Sequence, residues 1–149
     1  MPTSTEQRRA VPGTLRKNVV TDQQTQEAFA KLRREREEYE RTRPAIEAAG
    51  LEALKRLVEI AHRDSGQCRR VAAFLLGLYN GTRFKFDLTD FRALDRAIFH
   101  DCMAVLAMDF QPQQEVHTYF PNGSEIWEKL AKDWNIRDYT QPSKANELS

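Results

Sequence analysis

Five histidines and cysteines are the residues best suited to bind a metal ion in this chain of 149 residues. They are His62, Cys68, His100, Cys102 and His117. Zinc sites use such nitrogen and sulfur ligands, but in recognisable spacings that this chain lacks. His100 and Cys102 are two positions apart, a separation that places residues on different sides of a helix. The sequence therefore predicts no metal site, and we expect Cys102 to be a small core residue.

A second set of residues could support acid–base chemistry. It consists of four aspartates and one histidine: Asp87, Asp90, Asp95, Asp101 and His100. Two carboxylates and a histidine are able to catalyse hydrolysis. Asp87 and Asp95, however, precede predicted helices, where a carboxylate caps free backbone N–H groups and is favoured by the helix dipole. Capping is the simpler interpretation, and a hydrolase with an Asp/His site is only a second alternative.

Motifs of the common enzyme classes are not found. The six glycines form no phosphate-binding loop and no dinucleotide-binding pattern. The chain also lacks the nucleophile elbow of α/β-hydrolases and the paired histidines of zinc proteases. We therefore expect a protein that is not an enzyme, binds no cofactor and has no small-molecule substrate.

Four basic residues are the best candidates for contact with another macromolecule. They flank the uncharged run 71–80, with Arg69 and Arg70 before it and Arg83 and Lys85 after it. A helix without charged residues over this run must be surrounded by protein. Its two ends lie about 20 Å apart at 1.5 Å per residue, so the four side chains need not form one surface. Either aspartates of the same domain or an external partner must balance these charges.

Composition and segment patterns argue against several classes of protein. The formal net charge of +1 argues against a polyanion binder that works by bulk charge. No segment approaches the roughly 20 apolar residues that cross a bilayer, and the first residues do not have the pattern of a secretory signal. Two cysteines are too few for a disulfide scaffold. These features favour a cytoplasmic protein.

Helical spacing of apolar residues predicts a mostly α protein: a small bundle of about 4–5 helices with a charged N-terminal helical arm and disordered tails. Pro44 and Gly50 are expected to break the first helical region. An amphipathic helix should follow over 51–63 and a central apolar helix over 67–80. The predicted division is a disordered tail over 1–21, the charged arm over 22–43, the helical domain over 45–137 and a polar C-terminal tail over 138–149.

The remaining elements are shorter. Asp87 should start a short helix, and Asp95 should cap a longer one that ends near Phe110. A short extended piece is expected around Phe84–Phe86. Residues 113–121 are expected to form a loop, within which 116–120 could be extended. A last helix should contain both tryptophans at helical spacing.

The arm offers a way to bind protein. Its apolar residues are few, with Phe29 and Leu32 only partly supplied with neighbours, so the arm could pair with itself or dock on a partner. The leading expectation is a non-enzymatic accessory protein that binds another macromolecule, preferably protein. The alternative is a nucleic-acid-binding module that uses the basic residues at the ends of the central helix.

Three stretches resemble an uncharacterised family of small bacterial proteins. They read GQCRRVAAFLL from Gly66, then FDLTDFRALD and AIFHDCMAVLAMDF, and they embed Arg70, Asp87 and Asp90. The resemblance covers about residues 51–137. It implies a small helical domain of unknown function, found on proteobacterial plasmids and integrative elements, and it implies no catalytic or ligand-binding residues. Such a setting would favour a nucleic-acid, conjugation or anti-defence accessory role over metabolism.

Overall fold

The computed structural model describes residues 20–143 and confirms the mostly helical fold. Within that range the chain forms four α-helices and two 3₁₀ helices, and it contains no β-strand. The α-helices are α1 (Asp22–Ala61), α2 (Gly66–Tyr79), α3 (Arg96–Asp109) and α4 (Gly123–Asp133). The 3₁₀ helices are Leu88–Ala93 and Val116–Tyr119. Residues 1–19 and 144–149, which hold most of the two predicted tails, lie outside the described residues.

The predicted break at Pro44 is wrong, because α1 continues through it. Proline supplies no N–H to the preceding turn and costs about 3 kcal/mol inside a helix. An ion pair on the helix surface spans it, because Arg43 Nε lies 2.8 Å from Glu47 Oε1 one turn further along. Helix-forming sequence on either side therefore outweighs the proline.

Gly50 is not a break either. It lies inside α1 and is buried. A Cβ atom at this position would collide with the side chain of Met108 on α3, starting with Met108 Cβ itself. Glycine is therefore needed here for the close approach of two helices, and this requirement outweighs its low helix propensity.

The chain divides into two units, one ending at Thr42 and the other beginning at Arg43. The hydrophobic core belongs to the second unit, which we call the helical domain. Helix α2 lies at its centre, as the uncharged run predicts, with Val71, Leu75 and Leu76 fully buried. The predicted four-part division of the chain is not tested by these facts and stays a prediction.

Both tryptophans join separate elements of the helical domain. The Trp127 side chain is fully buried, and its Nε1–H donates to the carbonyl oxygen of Leu75 at 3.0 Å. Trp134 Nε1–H donates to the carbonyl oxygen of Ala61 at 2.7 Å. A buried indole needs such an acceptor. Each tryptophan therefore contributes apolar area and also satisfies a carbonyl near the end of another helix.

The short segments differ from expectation in one place. Residues 84–87 have no regular secondary structure, whereas Val116–Tyr119, in a stretch expected to be loop or extended, forms a 3₁₀ helix. Asp87 caps the other 3₁₀ helix as predicted, since its side chain accepts from the backbone N–H of Thr89. The alternation of apolar and polar residues indicates strands only where a second strand is available to pair with.

Candidate functional site

Arg83 is held by acidic residues of its own domain. Its Nη1 lies 2.8 Å from Glu128 Oε1 and its Nε lies 2.9 Å from Asp138 Oδ2. The guanidinium carbon also lies 4.7 Å from the centre of the Phe84 ring. The side chain is only 28% exposed, and the hydrogen bonds to Glu128 and Asp138 raise its pKa further above the ordinary value. Arg83 is therefore a link between structural elements, with both forks of its guanidinium in use.

The other three basic candidates are less constrained. Arg70 Nε lies 3.5 Å from Asp90 Oδ1, and both side chains are partly exposed. Lys85 Nζ donates to the carbonyl oxygen of Gly81 at 2.7 Å. Arg69 is exposed, and within residues 20–143 it makes no ion pair. Aspartates of the same domain thus meet Arg70 and Arg83, while Arg69 and Lys85 keep their charge available to a partner.

The four aspartates of the candidate hydrolytic set each have a different partner. Asp87 accepts from the Thr89 backbone N–H at 2.9 Å and from its hydroxyl at 2.7 Å, which lowers the pKa of Asp87. Asp90 faces Arg70, as described above. All four aspartates therefore have a partner within the domain, because Asp95 and Asp101 are also engaged by side chains of other helices.

Asp101 on α3 forms a two-point ion pair with Arg56 on α1, with N–O distances of 3.0 and 2.9 Å. Asp95 does not cap α3 with its own side chain. Instead it exchanges two hydrogen bonds with Gln67: Gln67 Nε2 donates to Asp95 Oδ2 at 3.1 Å, and the Asp95 backbone N–H donates to Gln67 Oε1 at 2.6 Å. These contacts join α3 to α1 and to α2.

The candidate metal ligands are dispersed. Among the described residues, no group of three or more His, Cys, Asp or Glu side chains is placed to hold a metal ion. Cys102 is fully buried, and burial raises the pKa of its thiol to about 12. His117 lies beside the Tyr79 ring with centroids 5.0 Å apart, and its Nδ1 is buried without a hydrogen-bond partner. The predicted core role of Cys102 is confirmed.

An apolar groove is the most distinctive surface feature of the helical domain. It is open to solvent, has a volume of about 260 Å³, and is bounded by α2, the 3₁₀ helix Leu88–Ala93 and α3. Leu88 at its edge is 73% exposed, and Leu106 on α3 is also exposed. Of the described residues that line it, Lys85 alone is charged. A large exposed leucine beside an apolar groove is a feature of binding surfaces.

Aromatic side chains make the wall of this groove rigid. Phe74, Phe86 and Phe91 contact one another edge to face, with ring centroids 4.9 to 5.7 Å apart. Phe99 extends the cluster from α3, at 5.6 Å from Phe91. Such pairs are favourable beyond the area that they bury and have few rotamers to lose. The groove wall is therefore preorganised for contact.

Two glycines form the floor of the groove. A Cβ atom on Gly77 would lie 3.4 Å from Phe86 Cβ, and one on Gly81 would lie 3.4 Å from the carbonyl oxygen of Gly77. Side chains there would occupy the space that is now open. The groove was not predicted from the sequence, although a short extended piece was expected around 84–86, which lies along it. Leu88, a large apolar residue directly after the cap Asp87, was the available signal.

Comparison with known proteins identifies a family but no characterised relative. Residues 51–135 match the model of DUF7673, a family of unknown function. The chain belongs to this family. Searches of curated proteins and of solved structures found no match. The match covers most of the helical domain, including the whole groove, and it agrees with the small helical domain that the sequence resemblance implied.

The length and composition of the helices also bear on membrane insertion. Among residues 20–143, no helix is both long enough and apolar enough to cross a membrane. The longest, α1, is rich in charged residues along its first half.

Proposed function

We propose that this member of DUF7673 is a non-enzymatic accessory protein that binds another protein through the apolar groove. The observation that carries the proposal is Leu88, which is 73% exposed at the edge of an otherwise apolar, aromatic-walled groove. Full burial of a leucine side chain is worth about 1.5–3 kcal/mol. Burial of Leu88 by a partner would therefore contribute more hydrophobic free energy than burial of any less exposed groove residue.

The proposed occupant is an amphipathic helix of the partner. The volume of about 260 Å³ is below the roughly 300–1,000 Å³ usual for small-molecule sites, so it suits a few apolar side chains better than a whole metabolite. An amphipathic helix presents such side chains at positions i, i+3 and i+4. Lys85 at the groove favours a carboxylate on the same face of that helix.

Two observations support binding over catalysis. The aspartates of the candidate hydrolytic set are engaged with Thr89, Arg70, Gln67 and Arg56, which favours a structural role for each of them. Among residues 20–143, the side chains that line the groove include no carboxylate, histidine or thiol that could react. Nucleic-acid binding is the less favoured alternative, because Arg83 is already neutralised by Glu128 and Asp138. The plasmid and integrative-element setting, and a cytoplasmic location, belong to the proposal as well.

The test compares three forms of the full chain: wild type, Leu88→Glu, and Phe110→Glu as a matched control. Phe110 is also a large exposed apolar residue of the helical domain, but it does not line the groove. Proteins cross-linked in extracts of the native host are quantified by mass spectrometry, and a protein lost only with Leu88→Glu is purified and titrated calorimetrically. We expect Leu88→Glu to weaken its binding at least about tenfold, which corresponds to about 1.4 kcal/mol.

Equal binding by wild type and Leu88→Glu would contradict the proposal. So would equal losses with both variants, because a general effect of adding a negative charge would then explain the result. Circular dichroism on each variant establishes that the helices are intact.

A further inference from the structure

The arm carries a second exposed surface with a different chemistry. Phe29 is 62% exposed and Leu32 is 57% exposed. Arg33 and Arg36 join them in lining a shallow cleft along the arm. The four residues occupy positions i, i+3, i+4 and i+7, which fall on one face of a helix. We call this set the arm face.

Two cations of the arm are paired with glutamates of the same helix. Lys31 lies 3.9 Å from Glu35, and Arg41 lies 2.7 Å from Glu38. Within the described part of the chain, neither Arg33 nor Arg36 has an ion pair. The arm face is therefore apolar and positively charged at the same time, and an occupant must supply both apolar side chains and carboxylates.

A second copy of the arm pairs poorly with this face in a parallel arrangement. The spacing of Phe29, Leu32 and Arg36 places them at successive seam positions of a heptad repeat. In a parallel pair each Arg36 would meet its own counterpart in the seam. Glu35 would flank Glu40 of the other helix, because residues at these two heptad positions face each other across the seam. Like charges would therefore oppose one another at the centre of the pair.

The antiparallel arrangement has the same defect. Its best apolar register places Phe29 opposite Tyr39 of the second copy, which centres the pair near residue 34. Arg33 then faces Arg33 and Glu35 faces Glu35, since like heptad positions flank one another in antiparallel coils. Neither arrangement gives the arginines of the arm face an acidic partner.

We infer that the arm face binds an acidic amphipathic helix of another protein. Two apolar side chains of that helix cover Phe29 and Leu32, and glutamates or aspartates flanking them pair with Arg33 and Arg36. Charge complementarity sets both the choice of partner and the rate of association. This surface is separate from the groove of the helical domain, so the inference stands or falls independently of the proposed function.

Nucleic acid would satisfy the arginines but not the apolar residues as well. Phosphate contacts use Lys and Arg, and they give a steep salt dependence without any need for Phe29 or Leu32. Phenylalanine can stack on a base, but leucine cannot. The loss of binding on replacing Leu32 therefore separates a protein partner from a nucleic-acid partner.

The experiment uses the full chain and a labelled synthetic helix as the probe. The probe carries leucines at i, i+3 and i+7 with glutamates beside them, and a second probe has lysines in place of the glutamates. Fluorescence anisotropy is recorded at low and at moderate salt. We expect the acidic probe to bind and the basic probe not to bind. Salt should weaken the acidic complex, since exposed ion pairs are screened.

Arg34 provides a matched control, because it lies on the same helix but outside the arm face. Arg36→Glu should weaken the acidic probe about tenfold or more, and Leu32→Ser should weaken it at least several-fold. Arg34→Glu should change binding less than about twofold, because its distance from the probe allows screening. Leu88→Glu, which alters the groove, should leave the affinity unchanged.

Four results would overturn the inference. They are no binding of the acidic probe at low salt, equal effects of Arg34→Glu and Arg36→Glu, displacement of the probe by an oligonucleotide that binds equally well to Leu32→Ser, and a dimer in light scattering that Leu32→Ser converts to a monomer. The third result would identify a nucleic-acid surface, and the fourth would identify self-association through the arm.

Discussion

Replacement of Gly50 by alanine tests the packing of α1 against α3 directly. Alanine normally stabilises the interior of a helix by about 1 kcal/mol relative to glycine. At Gly50 the added methyl group would collide with Met108, and the first atom that it meets is Met108 Cβ. That atom is fixed to the backbone, so a change of side-chain rotamer cannot move it away. Relief requires a shift of one helix relative to the other.

The size of the effect follows from two opposing terms. Overpacking a well-packed core costs about 1–3 kcal/mol, and the upper part of this range applies where backbone must move. Subtracting the gain of about 1 kcal/mol in helix propensity leaves a net loss of about 1–2 kcal/mol. For a domain of roughly 100 residues this corresponds to a fall in Tm of about 4–15 °C.

The control is the same substitution at Gly77 in α2. There the added Cβ would lie 3.4 Å from Phe86 Cβ, an ordinary van der Waals contact. Gly77→Ala should therefore raise stability by about 0.5–1 kcal/mol. Thermal and urea unfolding followed by circular dichroism measure both variants. If Gly50→Ala unfolds at or above the wild-type temperature while Gly77→Ala behaves as expected, the close approach of α1 and α3 is refuted.

Three further predictions concern charge and reactivity. Arg83→Met should lower the free energy of unfolding near neutral pH, because Glu128 and Asp138 lose their cation. Hydrogen bonds from Thr140, and to a smaller extent the Arg83 guanidinium, hold the pKa of Asp138 below its ordinary value of 3.8, so the Arg83 contribution is present above that value and lost as pH falls through the lower folded pKa. Urea unfolding should show a smaller difference from wild type near about pH 2 than near neutral pH, and an unchanged difference would contradict the reasoning. Cys102 should react with iodoacetamide only as fast as unfolding exposes it, because its thiol is buried and its pKa is raised to about 12, and rapid labelling of the native protein in a mass spectrum would count against this. A mobility-shift assay with DNA and RNA should give no complex even at low salt, since Arg83 and Arg70 face carboxylates; a complex that disappears as salt rises would favour the nucleic-acid alternative.

Periodicity predicts the helical domain well where one face of a helix is buried. Val71, Leu75 and Leu76 are deeply buried on α2, and Trp127 and Leu130 are buried on α4, as their spacing indicates. These positions depend on local pattern alone. The central helix could therefore be located within one residue of its observed bounds, Gly66–Tyr79.

Residues whose role depends on a distant element could not be assigned in this way. From the sequence alone, Gly50 is interpreted as a helix breaker. Only the position of Met108 shows that it is a packing residue. From the sequence alone, Arg83 is interpreted as an unpaired cation. Its partners Glu128 and Asp138 lie 45 and 55 positions further along the chain, and only the fold brings them beside it. The groove likewise needs three elements to meet, so no single stretch of sequence contains its pattern.

The contacts of Arg83 also bear on where the domain ends. Its side chain holds Asp138, and its carbonyl oxygen accepts from the Tyr139 backbone N–H at 2.7 Å. The family match stops at residue 135, and at the other end it starts at residue 51, just after Gly50. A fragment cut at those limits would lose the last anchor of its chain and one side of the α1–α3 contact. A fragment that keeps both sets of contacts must run from before Gly50 to beyond Tyr139.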